Sequence, residues 1–133
     1  MTPAQLAELN TVNLAVNAIA YQATPGANEP PDLYLDEPIP GDSWVCRMYV
    51  QGKATRLRAL GWPDDAGQLL ELICVVETGE RHAVLQVADV DMPGDPYILD
   101  SRFDFIYRRS TPPPGYRWEA VQVAGTTTFE AVS

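Results

Sequence analysis

Residues 41–63 read GDSWVCRMYVQGKATRLRALGWP, and this stretch decides the fold. Asp42 or Ser43 offers the polar side chain that is preferred directly before a helix, and Gly61 is the residue that commonly ends one. The pattern therefore predicts a central helix of about five turns. Cys46 falls in its first turn, where the helix dipole stabilises a thiolate over a thiol and lowers the pKa of a cysteine.

The two faces of this central helix differ in composition. An apolar stripe of Val45, Tyr49, Leu57 and Leu60 is expected to face inward. Arginines at positions 47, 56 and 58 suit the solvent side. The central helix is thus predicted to lie against the core with its basic residues in water.

Another helix is predicted at the N-terminus. Thr2 begins the letters TPAQ, a capping-box pattern with proline at the first helical position, so a helix is expected from Pro3 to about Tyr21. Asn13 and Asn17 lie four residues apart on or beside its apolar face. Two interpretations stay open: these amides hydrogen-bond a neighbouring loop, or they mark a boundary between buried and exposed faces.

The second half of the chain has the pattern of strands. Two apolar runs flank the tight turn at Thr78-Gly79-Glu80 and predict an antiparallel hairpin. Helices first and strands afterwards indicate an α+β domain with an antiparallel sheet, and the length of 133 residues predicts a single domain over 1–133. The six predicted strands are Leu69–Thr78, Arg81–Val90, Pro96–Asp100, Phe103–Arg108, Arg117–Ala124 and Thr127–Val132.

Composition and charge limit the classes of partner. The net charge of −9 argues against nucleic acid, because binding a phosphate backbone needs a concentrated basic surface. No apolar run approaches the roughly 18 residues of a membrane span. Polar residues interrupt the N-terminal segment, so no signal peptide is predicted, which favours a cytoplasmic or virion-associated location over secretion.

A histidine and an aspartate complete a candidate catalytic set. His82, the only histidine, begins a predicted strand directly after a turn, which indicates a rim position, and Asp100 ends another strand. If those two strands are neighbours, the two side chains can meet. Cys46 would then attack a carbonyl carbon as a thiolate, with His82 as the base and Asp100 as the group that orients it.

At this point the residues resemble a known family. Cys46 and Lys53 followed by LRALGWP, then HAVL and ILDS, with VNLAVN and PDLY upstream, are similar to the bacterial transglutaminase-like cysteine proteinases. The resemblance implies a papain-like or transglutaminase-like α+β fold, with N-terminal helices packed on an antiparallel β-sheet. It also implies Cys46 as nucleophile, His82 as base and Asp100 as orienting acid, at separations of 36 and 18 residues that are similar to those of the family.

The register along the central helix chooses between two nucleophiles. The letters GDS could match the family's GDC, which would place Ser43 at the nucleophile position and imply a weakened or inactive relative. Counting back from Lys53 and from Leu60 selects Cys46 instead. We therefore predict that Cys46 is the nucleophile.

The residues around Cys46 depart from the family pattern. Family members usually carry acidic residues on both sides of the cysteine, and in some these bind calcium. Here the flanking residues are Val45, Arg47 and Met48, none of which is a calcium ligand, so we predict no metal site and no cofactor. Trp44 and Arg47 are expected to shape the entrance, and Tyr34, in the proline-rich segment, is the third predicted substrate-binding residue.

Three kinds of function stay open. The first is a cysteine peptidase or amidase acting on a protein or peptide, with cell-wall peptide or a virion protein as candidate substrates; acyl transfer to an amine would use the same groups. The second is a non-catalytic binding or structural module, for example in a virion. The third, a redox pair of Cys46 and Cys74, is disfavoured because Cys74 lies mid-strand, where a buried structural thiol is expected.

Overall fold

The computed structural model describes residues 1–19, 44–62, 68–126 and 128–132. Two helices, α1 and α2, are followed by a six-stranded sheet. The predicted order of helices first and strands afterwards is confirmed. The elements are α1 (Pro3–Asn17), α2 (Trp44–Ala59), β1 (Leu69–Val75), β2 (Arg81–Val87), β3 (Tyr97–Leu99), β4 (Tyr107–Arg108), β5 (Arg117–Gln122) and β6 (Phe129–Ala131).

The sheet is antiparallel throughout, in the order β4-β3-β2-β1-β5-β6. All six predicted strands are present, each shorter than predicted. Leu85 of β2 pairs with Leu99 of β3, so the residues preceding Leu85 run beside those following Leu99. This register brings the start of β2, with His82, to the end of β3, where Asp100 follows.

The helix ends follow the local sequence signals. Thr2 and Gln5 form the predicted capping box, in which the Thr2 hydroxyl accepts from the Gln5 amide at 3.1 Å and the Gln5 side chain accepts from the Thr2 amide at 2.9 Å. α1 ends at Asn17, earlier than predicted. Gly61 has a φ of 94°, which is the left-handed conformation that ends many helices, so the predicted end of the central helix at this glycine is confirmed.

The core divides into two clusters because strand side chains alternate between the faces of the sheet. One cluster joins both helices to the sheet; the other is built from strand residues alone. The expected inward position of Leu60 is wrong, since its side chain is 55% exposed after the end of α2. The helix-side cluster includes Leu9, Val12, Val16, Val50, Ala54, Leu57, Ile73, Leu85 and Leu99, and the other includes Leu72, Val84, Ile98, Tyr107 and Val121.

Neither helix in the described ranges is long and apolar enough to cross a membrane.

Candidate active site

The structure brings the predicted nucleophile and base together. Cys46 is the third residue of α2, and its Sγ lies 3.0 Å from Nδ1 of His82, the second residue of β2. Cys46 is partly buried and the His82 side chain is only 4% exposed, so the rim position expected for the histidine is wrong. The contact forms because the N-terminal end of α2 meets the end of β2 next to the tight turn.

Asp100 lies on the opposite side of the imidazole ring. Its Oδ1 is 2.7 Å from His82 Nε2 and also accepts from the backbone amide of Arg102 at 2.9 Å. Its Oδ2 accepts from the hydroxyls of Tyr107 and Tyr116, both at 2.8 Å. A carboxylate that is completely buried thus has four donors, which is what an ionised carboxylate needs away from water.

The pKa values of the imidazole and the carboxyl move apart. Burial lowers the pKa of His82, but the hydrogen bonds and negative charges of Asp100 and Cys46 outweigh it and raise the pKa to about 9. Burial raises the pKa of Asp100, yet its hydrogen bond to His82 and the charge of that ring hold it below its usual value. The arrangement therefore favours an imidazolium next to a carboxylate at neutral pH.

The two asparagines of α1 hold the loop that carries Asp100. Asn13 Nδ2 donates to the Phe103 carbonyl at 3.1 Å, and Asn17 Nδ2 donates to the carbonyls of Asp100 at 3.1 Å and Phe103 at 2.9 Å. The first of the two interpretations left open by the sequence, hydrogen bonds to a neighbouring loop, is confirmed. α1 therefore helps to position Asp100.

The predicted solvent position of Arg47 is wrong. Its side chain is 2% exposed and forms a two-point ion pair with Glu71 of β1, with Nε to Oε1 at 3.1 Å and Nη2 to Oε2 at 2.8 Å. Its guanidinium also lies 5.5 Å from the ring centre of Phe129. Arg47 is buried because a carboxylate on the helix side of the sheet accepts it, so it anchors the start of α2 to β1 and is not part of an exposed entrance.

Lys53, the only lysine of the chain, is also buried. Its side chain is 1% exposed and lies two helical turns after Cys46 on the same side of α2. Burial lowers the pKa of Lys53 to about 7, against the opposing effect of the negative charges of Asp100 and Cys46. The resemblance to a protease family included Lys53, but nothing in the sequence indicated that its amine would be buried.

Other predicted site residues lie outside the described part. Tyr34 and Ser43 are not among the described residues, and Trp44 belongs to α2 but its side chain is not described. Their predicted roles therefore stay predictions. Cys74 is completely buried, as predicted, and neither it nor Cys46 forms a disulfide.

Sequence reasoning missed the two tyrosines on Asp100. Tyr107 belongs to the short strand β4, and Tyr116 follows the turn at residues 112–115. A tyrosine directly after the letters PPPG is held by a rigid turn, but this signal alone does not indicate the carboxylate that the hydroxyl contacts. Among the described residues, no group of three histidine, cysteine or carboxylate side chains could hold a metal ion.

Known proteins share this fold. No protein-family profile matches the chain. No curated protein matches it either. Solved structures do match, and together with the two helices on an antiparallel sheet they define a transglutaminase-like fold, in agreement with the fold that the resemblance implied.

Three of the matching structures are of LapG from Legionella pneumophila. The calcium-bound form is 24% identical with a TM-score of 0.65 and covers 92% of this chain and 67% of its own. A further LapG structure is 23% identical with a TM-score of 0.63 and covers 92% and 65%. An EGTA-treated form is 21% identical with a TM-score of 0.67 and covers 99% and 69%. This chain thus spans about two thirds of the LapG chains, and at this identity the likeness establishes the fold alone.

Proposed function

We propose that the protein is a cysteine hydrolase that cleaves an amide or peptide bond through Cys46, His82 and Asp100. The observation that carries the proposal is the unbroken line of contacts from Cys46 Sγ to His82 Nδ1 at 3.0 Å and from His82 Nε2 to Asp100 Oδ1 at 2.7 Å. A thiol, an imidazole and a buried carboxylate in this order form the set required for nucleophilic catalysis by a thiolate.

In the first half of the reaction, the Cys46 thiolate attacks the carbonyl carbon of the substrate. In the proposed resting state the thiol proton resides on His82, whose raised pKa favours the imidazolium. The thiolate and the oxyanion that forms both lie near the first turn of α2, where the helix dipole favours negative charge. The imidazolium then gives its proton to the departing amine, the C–N bond breaks, and an acyl thioester remains on Cys46.

In the second half, water replaces the amine. His82, now neutral, accepts a proton from a water molecule as the water oxygen attacks the thioester carbon. The C–S bond breaks, the acid product leaves, and the Cys46 thiolate and the imidazolium are restored. Asp100 stays ionised throughout and holds the ring with Nδ1 directed at Cys46.

The fold and the site together support a polypeptide as the class of substrate. LapG is a transglutaminase-like cysteine protease, and a protease acts on a polypeptide. We extend that class to this chain because its cysteine, histidine and aspartate make the required contacts. Acyl transfer to an amine would pass through the same thioester and differ only in the nucleophile that reaches it.

We expect catalysis to be independent of calcium, although one of the LapG structures is calcium-bound. The residue after Cys46 is Arg47, and its guanidinium already occupies both carboxylate oxygens of Glu71. Treatment with EGTA should therefore change neither the melting temperature nor the rate at which iodoacetamide modifies Cys46. A lower melting temperature or a slower modification of Cys46 on chelation, with recovery on adding Ca²⁺, would contradict this prediction.

The reactivity of the thiols tests the proposed function. At pH 6 iodoacetamide should modify Cys46 rapidly and leave Cys74 untouched, because Cys74 is buried and burial raises its pKa. His82→Ala should slow this reaction by about tenfold or more, since an ordinary cysteine is only about 0.3% thiolate at pH 6 and its greater intrinsic nucleophilicity offsets part of that loss. Intact-mass and peptide-mapping spectrometry locate and time the modification.

Cys74→Ala is the matched control because it removes the other thiol and should leave the rate unchanged. Circular dichroism checks that the His82→Ala variant is folded. The alternative of a non-catalytic module predicts a different result, in which both cysteines react slowly at pH 7 and the histidine substitution has no effect. That outcome would overturn the proposed function.

A further inference from the structure

The orientation of Asp100 depends on two phenolic hydroxyls. His82 and the backbone amide of Arg102 both contact Oδ1, whereas Oδ2 is held by Tyr107 and Tyr116. A carboxylate fixed only through one oxygen could rotate about its Cβ–Cγ bond. The phenols therefore determine whether Oδ1 stays aligned with the histidine.

The Tyr116 hydroxyl has a fixed direction. It accepts a hydrogen bond from Nη1 of Arg102 at 3.1 Å while it donates to Asp100 Oδ2 at 2.8 Å. A guanidinium has no acceptor, so the phenolic proton cannot point to Arg102 and must point to the carboxylate. Burial and the negative charge of Asp100 raise the pKa of Tyr116, so the hydroxyl keeps that proton at neutral pH.

The other end of this network reaches the surface. Arg102 forms an ion pair with Glu77, and the two side chains are 35% and 46% exposed. Gly115, with a φ of 85°, brings the chain so close to Glu77 that an added Cβ would lie 2.6 Å from the Glu77 Cβ. The same surface residue thus positions both the arginine and the turn that precedes Tyr116.

We propose that Tyr116 is a positioning residue for the Cys46–His82–Asp100 unit, directed at Asp100 by Arg102. It does not touch the substrate in this role. It holds the carboxylate ionised and aligned, so that the carboxylate keeps the imidazolium in place next to the thiolate. This inference rests on the proposed function.

The pH dependence of Cys46 alkylation by iodoacetamide tests the role of Tyr116. The reactive form needs Asp100 ionised, and Tyr116 donates to that ionised form. Because this hydrogen bond is made to a charged group, Tyr116→Phe should move the acid limb of the rate profile to higher pH by about one to two units. Because the three groups titrate together, the limb belongs to the unit as a whole.

Tyr97→Phe is the matched control. Tyr97 also receives a hydrogen bond from an arginine, Arg108 Nη2 at 2.9 Å, and also lies against that guanidinium, but it contacts none of the three reactive groups. If Tyr116 acted only on stability, Tyr116→Phe would change the melting temperature, as Tyr97→Phe would, and neither variant would move the acid limb. An unmoved limb in Tyr116→Phe, or an equal shift in both variants, would overturn the inference.

Two further outcomes are separated by design. If wild-type Cys46 lacks the rapid reaction below pH 7, the proposed function fails, and the inference fails with it. If the wild type has that rapid reaction and the acid limb of Tyr116→Phe lies at the same pH as the wild-type limb, only the inference fails. Should Tyr116→Phe not fold, Arg102→Gln replaces it: this exposed substitution removes the directing cation, and we expect a smaller shift in the same direction, with no shift overturning the inference.

Discussion

Replacing Glu71 with alanine should lower the free energy of unfolding by about 3–5 kcal/mol, because it breaks the buried two-point ion pair between Glu71 and the guanidinium of Arg47. Arg47 and Glu71 are 2% and 1% exposed, so water cannot take the place of the lost partner. Urea unfolding followed by circular dichroism measures the change. The start of α2, which carries Cys46, should be the region most affected.

Glu119→Ala is the control for this substitution. Glu119 pairs with Arg81 at 2.8 Å, the same separation as the closest approach of Glu71 to Arg47, but the two side chains are 32% and 37% exposed. An exposed pair contributes about 0.2–1 kcal/mol, so this variant should be close to the wild type. Similar losses from both substitutions would contradict the argument from burial.

The double variant Arg47→Met with Glu71→Leu separates charge from packing. It removes both buried charges and keeps apolar volume, and replacements of this kind are often neutral or stabilising. We expect it to recover most of the stability lost in Glu71→Ala. If the double variant is as unstable as Glu71→Ala, the ion pair itself stabilises the protein more than apolar side chains do at the same two positions.

Replacing Lys53 with methionine should raise stability below pH 7 by roughly 4–5 kcal/mol, with a gain that shrinks as the pH rises. The pKa of Lys53 is about 7 in the folded state, against 10.5 for an unperturbed lysine in the unfolded chain. Between these values the unfolded chain keeps a proton that the folded protein has lost, so wild-type stability rises with pH by about 1.4 kcal/mol per unit. Methionine has no proton to lose, so the difference between variant and wild type should fall from pH 7 to 9.

Two measurements check the Lys53 prediction. Urea unfolding of both proteins at pH 6, 7, 8 and 9 gives the stability difference at each pH. Because the chain has one lysine, NMR of protein labelled at lysine gives a single side-chain signal whose titration reports the folded-state pKa directly. A stability difference that does not change with pH, or a lysine that titrates near 10.5, would contradict the prediction.

The sequence was most informative where local signals act. Capping residues, the glycine after α2 and apolar runs next to turns are short-range features, and they predicted both helices and all six strands, with ends that differed by a few residues. The sequence left open whether β2 and β3 are neighbours, and the structure pairs them. The meeting of His82 and Asp100 could therefore be predicted only on the condition that these strands pair.

What the sequence could not predict depends on partners far apart in the chain. The sequence alone places Arg47 on the solvent side of the central helix, and only its contact with Glu71 of β1 explains why it is buried. Tyr116 reaches Asp100 from a loop in which the preceding Gly115 packs closely against Glu77. In both cases a polar side chain is held by a group that is distant in the chain, and no periodicity in the sequence records that pairing.

The burial of Lys53 also bears on the alternative of acyl transfer. An enzyme that transfers acyl groups to lysine amines can also modify exposed lysines on other copies of itself. Here the only lysine is 1% exposed. The folded chain of residues 1–133 therefore offers no exposed lysine amine to a thioester formed on another copy, and acyl transfer to a lysine would need an amine outside this chain.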